Sequence, residues 1–125
     1  MDSPAGTKIL VVVDDDAVRR LMINVIERQG HTGLGAEDAG RALQILDQHQ
    51  VDLVLLDLHM PGPADGEDLL YLLRDRGDEV PIIIVSGFVD DEATIYRPDC
   101  VHAVLKKPVS IEALADTVRQ VLALA

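Results

Sequence analysis

Four short stretches of this chain carry side chains that could act together on a phosphoryl group. Asp14, Asp15 and Asp16 follow the apolar run Ile9–Val13, and Asp57 follows Leu53–Leu56. Ser86-Gly87 closes the run Ile82–Val85, and Lys106-Lys107-Pro108 closes Val101–Leu105. Carboxylates gathered in one place raise one another's pKa unless a cation sits among them. An all-oxygen donor set suits Mg²⁺, or Mn²⁺ in its place, with one or two carboxylates, waters and a phosphoryl oxygen around the ion. The Ser86 hydroxyl and a lysine ammonium can each meet a phosphoryl oxygen, the ammonium as a mobile point charge. Gly87 lacks a Cβ, so its N–H can come close to a ligand. These residue types at successive run ends point to phosphoryl transfer onto a carboxylate.

A parallel sheet is what could bring them together. Ile9–Val13, Leu53–Leu56 and Ile82–Val85 are continuous apolar runs, the pattern of strands covered on both faces. Val101–Leu105, interrupted by His102, and the glycine-containing His31–Gly35 are weaker strands. Between them apolar residues recur at helical spacing: Val18, Leu21, Met22, Val25 and Ile26, with Gly30 to end the helix; Ala39, Ala42, Leu43 and Leu46; Leu69, Leu72 and Leu73; Ile111, Leu114, Ala115, Val118 and Leu122. Asp16, Asp65 and Ser110 are the expected N-caps of the first, third and last of these. The alternation also requires a short helix around residues 90–97, stopped by Pro98. Strands and helices alternating in this way predict an α/β three-layer sandwich of (βα)5, flavodoxin-like type. With strand order 2-1-3-4-5, the first and third strands are neighbours, and the acidic residues after the first lie beside Asp57, where open parallel sheets bind ligands.

At 125 residues the chain is expected to be a single domain, with a core over about residues 7–124 and no output domain. A net charge of −11 argues against direct nucleic-acid binding, which needs clustered Lys and Arg. Cys100 is the only cysteine, which rules out an intramolecular disulfide and a thiolate metal cage. His59 and His102 have no second His or Cys nearby and read as surface side chains. Residues 1–7 lack the charged and apolar regions of a signal peptide, and no apolar run could span a bilayer, so the expected location is cytoplasmic.

The stretches ILVVVDDD (9–16), LVLLDLHMPG (53–62), DG (65–66), PIIIVSG (81–87) and KKP (106–108) resemble, in order and separation, the receiver domains of two-component response regulators. That resemblance implies a phosphoryl-accepting signalling switch, not a metabolic enzyme. It makes Asp57 the phosphoacceptor, Asp15 a direct metal ligand, and Asp14 a ligand acting mainly through water. The backbone carbonyl of His59 would complete the protein's share of the metal shell, and the backbones of His59 and Gly87 would contact the phosphoryl group. Ser86 would be the switch hydroxyl, and Lys107 would pair with the phosphoryl group across a cis bond to Pro108. The implied donor is a histidine kinase or a histidine phosphotransfer protein, docking near the first helix and the Val109–Ser110 loop, with Val18, Leu21 or Met22 partly exposed. The downstream partner is a protein that the sequence does not identify.

Several positions depart from that family. The loop after Asp57 is one residue longer than usual, a change that costs little entropy. Val104 stands where the family has a switch aromatic, Val109 replaces a Phe, and the helix near residue 90 is short. The expectation is intact phosphorylation chemistry with a non-standard readout through the fourth helix, fifth strand and fifth helix. Alternatives are a receiver-like scaffold working without phosphorylation, a haloacid-dehalogenase-type phosphatase and a flavodoxin-like cofactor module. The phosphatase would lack its later acidic pair and leave Asp57 unexplained, and the cofactor module would need a Ser/Thr/Gly-rich loop where the aspartates stand. Phe88, two residues after Ser86, flanks the path of attacking water in this family, so self-dephosphorylation is predicted to be slow. Acyl-phosphate decay in Phe88→Ala should be faster than in the wild type; an unchanged rate would remove this role.

Overall fold

The computed structural model describes residues 7–57, 66–77, 80–86, 101–106 and 109–124. Five strands, β1 (Lys8–Val12), β2 (Thr32–Ala36), β3 (Leu53–Asp57), β4 (Ile82–Ser86) and β5 (Val101–Lys106), form one sheet of order β2-β1-β3-β4-β5. All four pairings are parallel, as the alternating pattern predicts. The helices are α1 (Asp16–Arg28), α2 (Ala39–Gln48), α3 (Gly66–Asp75) and α4 (Ile111–Leu124). The expected helix around residues 90–97 and the Asp65 cap lie outside the described residues.

The strands with continuous apolar runs are the three central ones, buried on both faces. Ile9, Val11, Leu53, Leu55, Ile83 and Val85 pack with Met22, Val25, Ile26, Leu114 and Val118 of α1 and α4. Leu10, Val12, Val54, Leu56, Ile82 and Ile84 pack with α2 and α3 on the other face. The weak signals belong to the edges. In β5 the register shifts between Ile82↔Val101 and Ile83↔Ala103, so His102 is the extra residue at the irregularity. In β2 the glycines let α1 approach: a Cβ on Gly33 would lie 2.8 Å from Ile23 Cγ2.

Local chemistry fixes the helix ends. Ser110 caps α4, its Oγ accepting from the Ala113 N–H at 3.0 Å, and Asp38 caps α2 through the Arg41 N–H at 2.8 Å. Gly30, at φ 96°, ends α1 with two bonds, Gly30 N–H to the Glu27 carbonyl and His31 N–H to that of Ile26, the Schellman pattern. At the opposite end of the sheet from the acidic residues, Lys8 N–H donates to the Asp52 carboxylate and Asp52 N–H donates to the Lys8 carbonyl, both at 2.8 Å. That reciprocal pair sets where β3 starts against β1.

The close approach at β2 makes a specific prediction. Gly33→Ala should destabilise the fold by about 1–3 kcal/mol, because the branched Ile23 side chain cannot turn aside freely. Combined with Ile23→Ala, the added cost of the Gly33 change should shrink markedly in denaturant unfolding; strictly additive costs would refute the contact.

Candidate functional site

Asp57 ends β3, and at 3% exposure it is the one buried charged residue among those described. It falls in step with Leu53 and Leu55, so strand alternation turns it toward the α1/α4 face. A carboxylate buried beside that apolar layer is costly unless its oxygens find partners, so the position calls for a polar purpose.

The β1–β3 register decides which residue of the first loop meets it. Val12 pairs with Leu56, and one further step puts Val13 level with Asp57. Val13 is buried and still bonded to the sheet, its N–H donating to the Ala36 carbonyl at 3.1 Å. An apolar side chain is therefore the immediate β1 neighbour of Asp57. The acidic turn begins one residue beyond it, with half-buried Asp14, then exposed Asp15 and Asp16.

The helix cap is Asp15, not Asp16 as the sequence suggested. Asp15 Oδ1 accepts from the backbone N–H groups of Ala17 at 2.9 Å and Val18 at 3.1 Å. Asp16 is the first helical residue and pairs instead with Arg19. Consecutive aspartates offer the helix several possible caps, and composition alone does not choose between neighbours. Arg19 was not singled out by sequence reasoning. Its Nη1 donates to the Val13 carbonyl at 2.8 Å while its Nη2 donates to Asp16. No motif signalled it, because its acceptors are a backbone carbonyl and a surface acid.

Asp14, Asp15 and Asp57 line one groove of about 640 Å³ that runs between α1 and the start of α4. Its apolar rim includes Val18, Leu21 and Ile111, which are 38%, 49% and 54% exposed. Met22, expected among the partly exposed residues, is buried at 5% and belongs to the core. Ser86 ends β4 and pairs in register with Lys106, which is exposed at the end of β5. Lys107 follows directly, but Lys107, Pro108, His59, Gly87 and Phe88 lie outside the described residues. Val104, at the position of the family's switch aromatic, packs half-buried against the α2/α3 layer.

The donor chemistry fits a hard divalent cation. Among the described residues no three His, Cys, Asp or Glu side chains come together as a metal-holding group. Mg²⁺ needs only one or two carboxylates and keeps several waters, so Asp57 with a single acid from the turn meets its demand. Among the described residues no helix is long and apolar enough to cross a membrane.

Residues 9–119 match the response regulator receiver domain family. The chain is 34% identical over 124 residues to the sensor kinase CckA of Brucella abortus, covering 97% of this chain and 13% of that protein. It is 34% identical over 115 residues to the response regulator protein FleR of Pseudomonas aeruginosa, covering 90% of this chain and 24% of FleR. The chain thus spans less than a quarter of the length of these relatives. Among solved structures, a Francisella response regulator receiver domain superposes with a TM-score of 0.86 at 26% identity, over 95% of this chain and 98% of that one.

The capping geometry predicts a ranking. Asp15→Ala should lower unfolding stability by about 1 kcal/mol, with Asp15→Ser close to the wild type. Asp16→Ala, which loses an exposed ion pair, should cost less than about 0.5 kcal/mol. The reverse order in denaturant titrations would return the cap to Asp16.

Proposed function

The chain belongs to the response regulator receiver family, and from that premise we propose that it takes a phosphoryl group on Asp57 from a phosphohistidine of a histidine kinase or phosphotransfer protein. The observation that carries this is a buried carboxylate at the carboxyl end of a central strand, opening into the groove that the acidic turn also lines. Residues 7–124 would act as one phosphoryl-accepting unit.

In the reaction, an Asp57 oxygen attacks phosphorus in line with the breaking P–N bond. An aspartyl phosphate forms, and the donor imidazole leaves with the bonding electrons. Lys107 would pair with the phosphoryl oxygens and Ser86 would move to bond one of them, while the backbones of His59 and Gly87 would contact the group. Asp15, Asp57 and the His59 carbonyl would hold Mg²⁺ or Mn²⁺, with Asp14 acting mainly through water. When bound, the ion supplies charge neutralisation at the phosphoryl oxygens. The cap engages Asp15 Oδ1 with two backbone N–H groups and leaves its Oδ2 as the oxygen for the ion.

A donor protein would dock over Val18, Leu21 and Ile111, the apolar rim through which its histidine could reach Asp57. The phosphoryl group would shift a pre-existing equilibrium between two surfaces, changing which protein binds. With Val104 in place of an aromatic, that change would run less through β5 than is usual in the family. The chain is thus a signalling switch that assists its own phosphorylation and dephosphorylation, in cytoplasmic surroundings where ATP-fed kinases work.

Incubation with a small-molecule phosphodonor and Mg²⁺ should add one phosphoryl group by intact mass. Asp57→Asn or excess chelator should abolish the gain. A gain that persists in Asp57→Asn, or no gain in the wild type, would overturn the assignment.

A further inference from the structure

Arg19 has no part in the transfer just described, yet it is built into the turn on which that transfer depends. Its stem crosses the sheet edge at Gly35, where a Cβ would lie 3.2 Å from Arg19 Cδ and 3.4 Å from Nε. The missing side chain at Gly35 leaves the corridor through which the guanidinium reaches the carboxyl end of β1. There it makes two bonds with two different nitrogens, one to the Val13 carbonyl at 2.8 Å and one to the Asp16 carboxylate. The Arg19 side chain is only 16% exposed, whereas that of Asp16 is 72% exposed.

The two acceptors flank Asp14 and Asp15. Val13 is also tied to β2 through its N–H, and Asp15 is tied to the first turn of α1 by its own cap. The guanidinium closes this frame by joining the end of the strand to the start of the helix across the acidic pair. It also places one fixed positive charge beside a turn of three carboxylates. That charge reduces their mutual repulsion before any cation arrives. A planar fork suits the task because it holds two acceptors at a set angle, which a single ammonium on a flexible stem does not.

We propose that Arg19 is a positioning residue for the divalent-cation site, holding the Val13–Asp16 turn so that the Asp14 and Asp15 carboxylates stay on the groove that Asp57 lines. This rests on the ion site proposed above. It predicts that loss of Arg19 weakens metal binding while Asp57 remains competent once metal is supplied in excess.

The test is Mn²⁺ binding to the unphosphorylated full chain, followed by the electron paramagnetic resonance of free Mn²⁺, with thermal unfolding in chelator recorded for each variant. Arg19→Gln should bind Mn²⁺ about tenfold more weakly, the scale expected when a residue supporting a metal ligand is lost. Its phosphorylation by a small-molecule donor should need more Mg²⁺ and reach the wild-type plateau. Arg19→Lys should fall between the two, and Asp16→Asn, which removes one arm of the clamp, should weaken binding in the same direction. If Arg19→Gln unfolds at a lower temperature but binds Mn²⁺ within about twofold of the wild type, the clamp is only structural and the proposal fails. If the wild type takes up no Mn²⁺, or the double variant Asp14→Asn, Asp15→Asn binds as well as the wild type, the ion site itself is wrong and both readings fall together.

Discussion

The parallel pairing of β1 with β3, with Val12 opposite Leu56, decides which side chains meet Asp57. In a strand, a slip of one residue would turn every side chain to the other face and send Asp57 toward α2 and α3. The register is held by two layers of aliphatic packing that tolerate no such exchange, and by the reciprocal Lys8–Asp52 bonds where the strands begin. A carboxylate can be kept at 3% exposure at the end of such a strand only because the surrounding fold fixes it there. The groove, the acidic turn and the exposed rim of α1 all take their positions relative to that point.

The turn after β1 shows how one short segment meets several demands. Val13 continues the core, Asp15 begins the helix, and Asp16 and Val13 together anchor Arg19. Asp14 and Asp15 both line the groove with Asp57, so the acids of the turn differ in their local tasks and not in their number. Three aspartates in a row do not make a three-carboxylate metal cage here, and a hard cation completed by water and a phosphoryl oxygen does not need one.

Much of this was legible in the sequence, for physical reasons. β1, β3 and β4 are buried on both faces and so read as unbroken apolar runs, and their parallel pairing follows from the alternation of strands with helices. The Ser110 cap and the Gly30 stop carry their own local chemistry and were placed correctly. The edge strands were less clear because β2 trades side chains for close helix contact at Gly33, and β5 absorbs an extra residue at His102. Which aspartate caps α1 was not legible, since adjacent aspartates are chemically equal until the register is known. Arg19 was invisible for a related reason: its importance lies in a backbone carbonyl six residues back, which no pattern of residue types records.

The central claim is that the phosphoryl group resides on Asp57 and on no other residue. Borohydride reduction of the phosphorylated chain converts an acyl phosphate of aspartate to homoserine, which peptide mass spectrometry can locate. Homoserine at position 57 alone is the predicted result. A reduced residue at position 14 or 15, or a reduction-resistant phosphate on a serine or histidine, would contradict it.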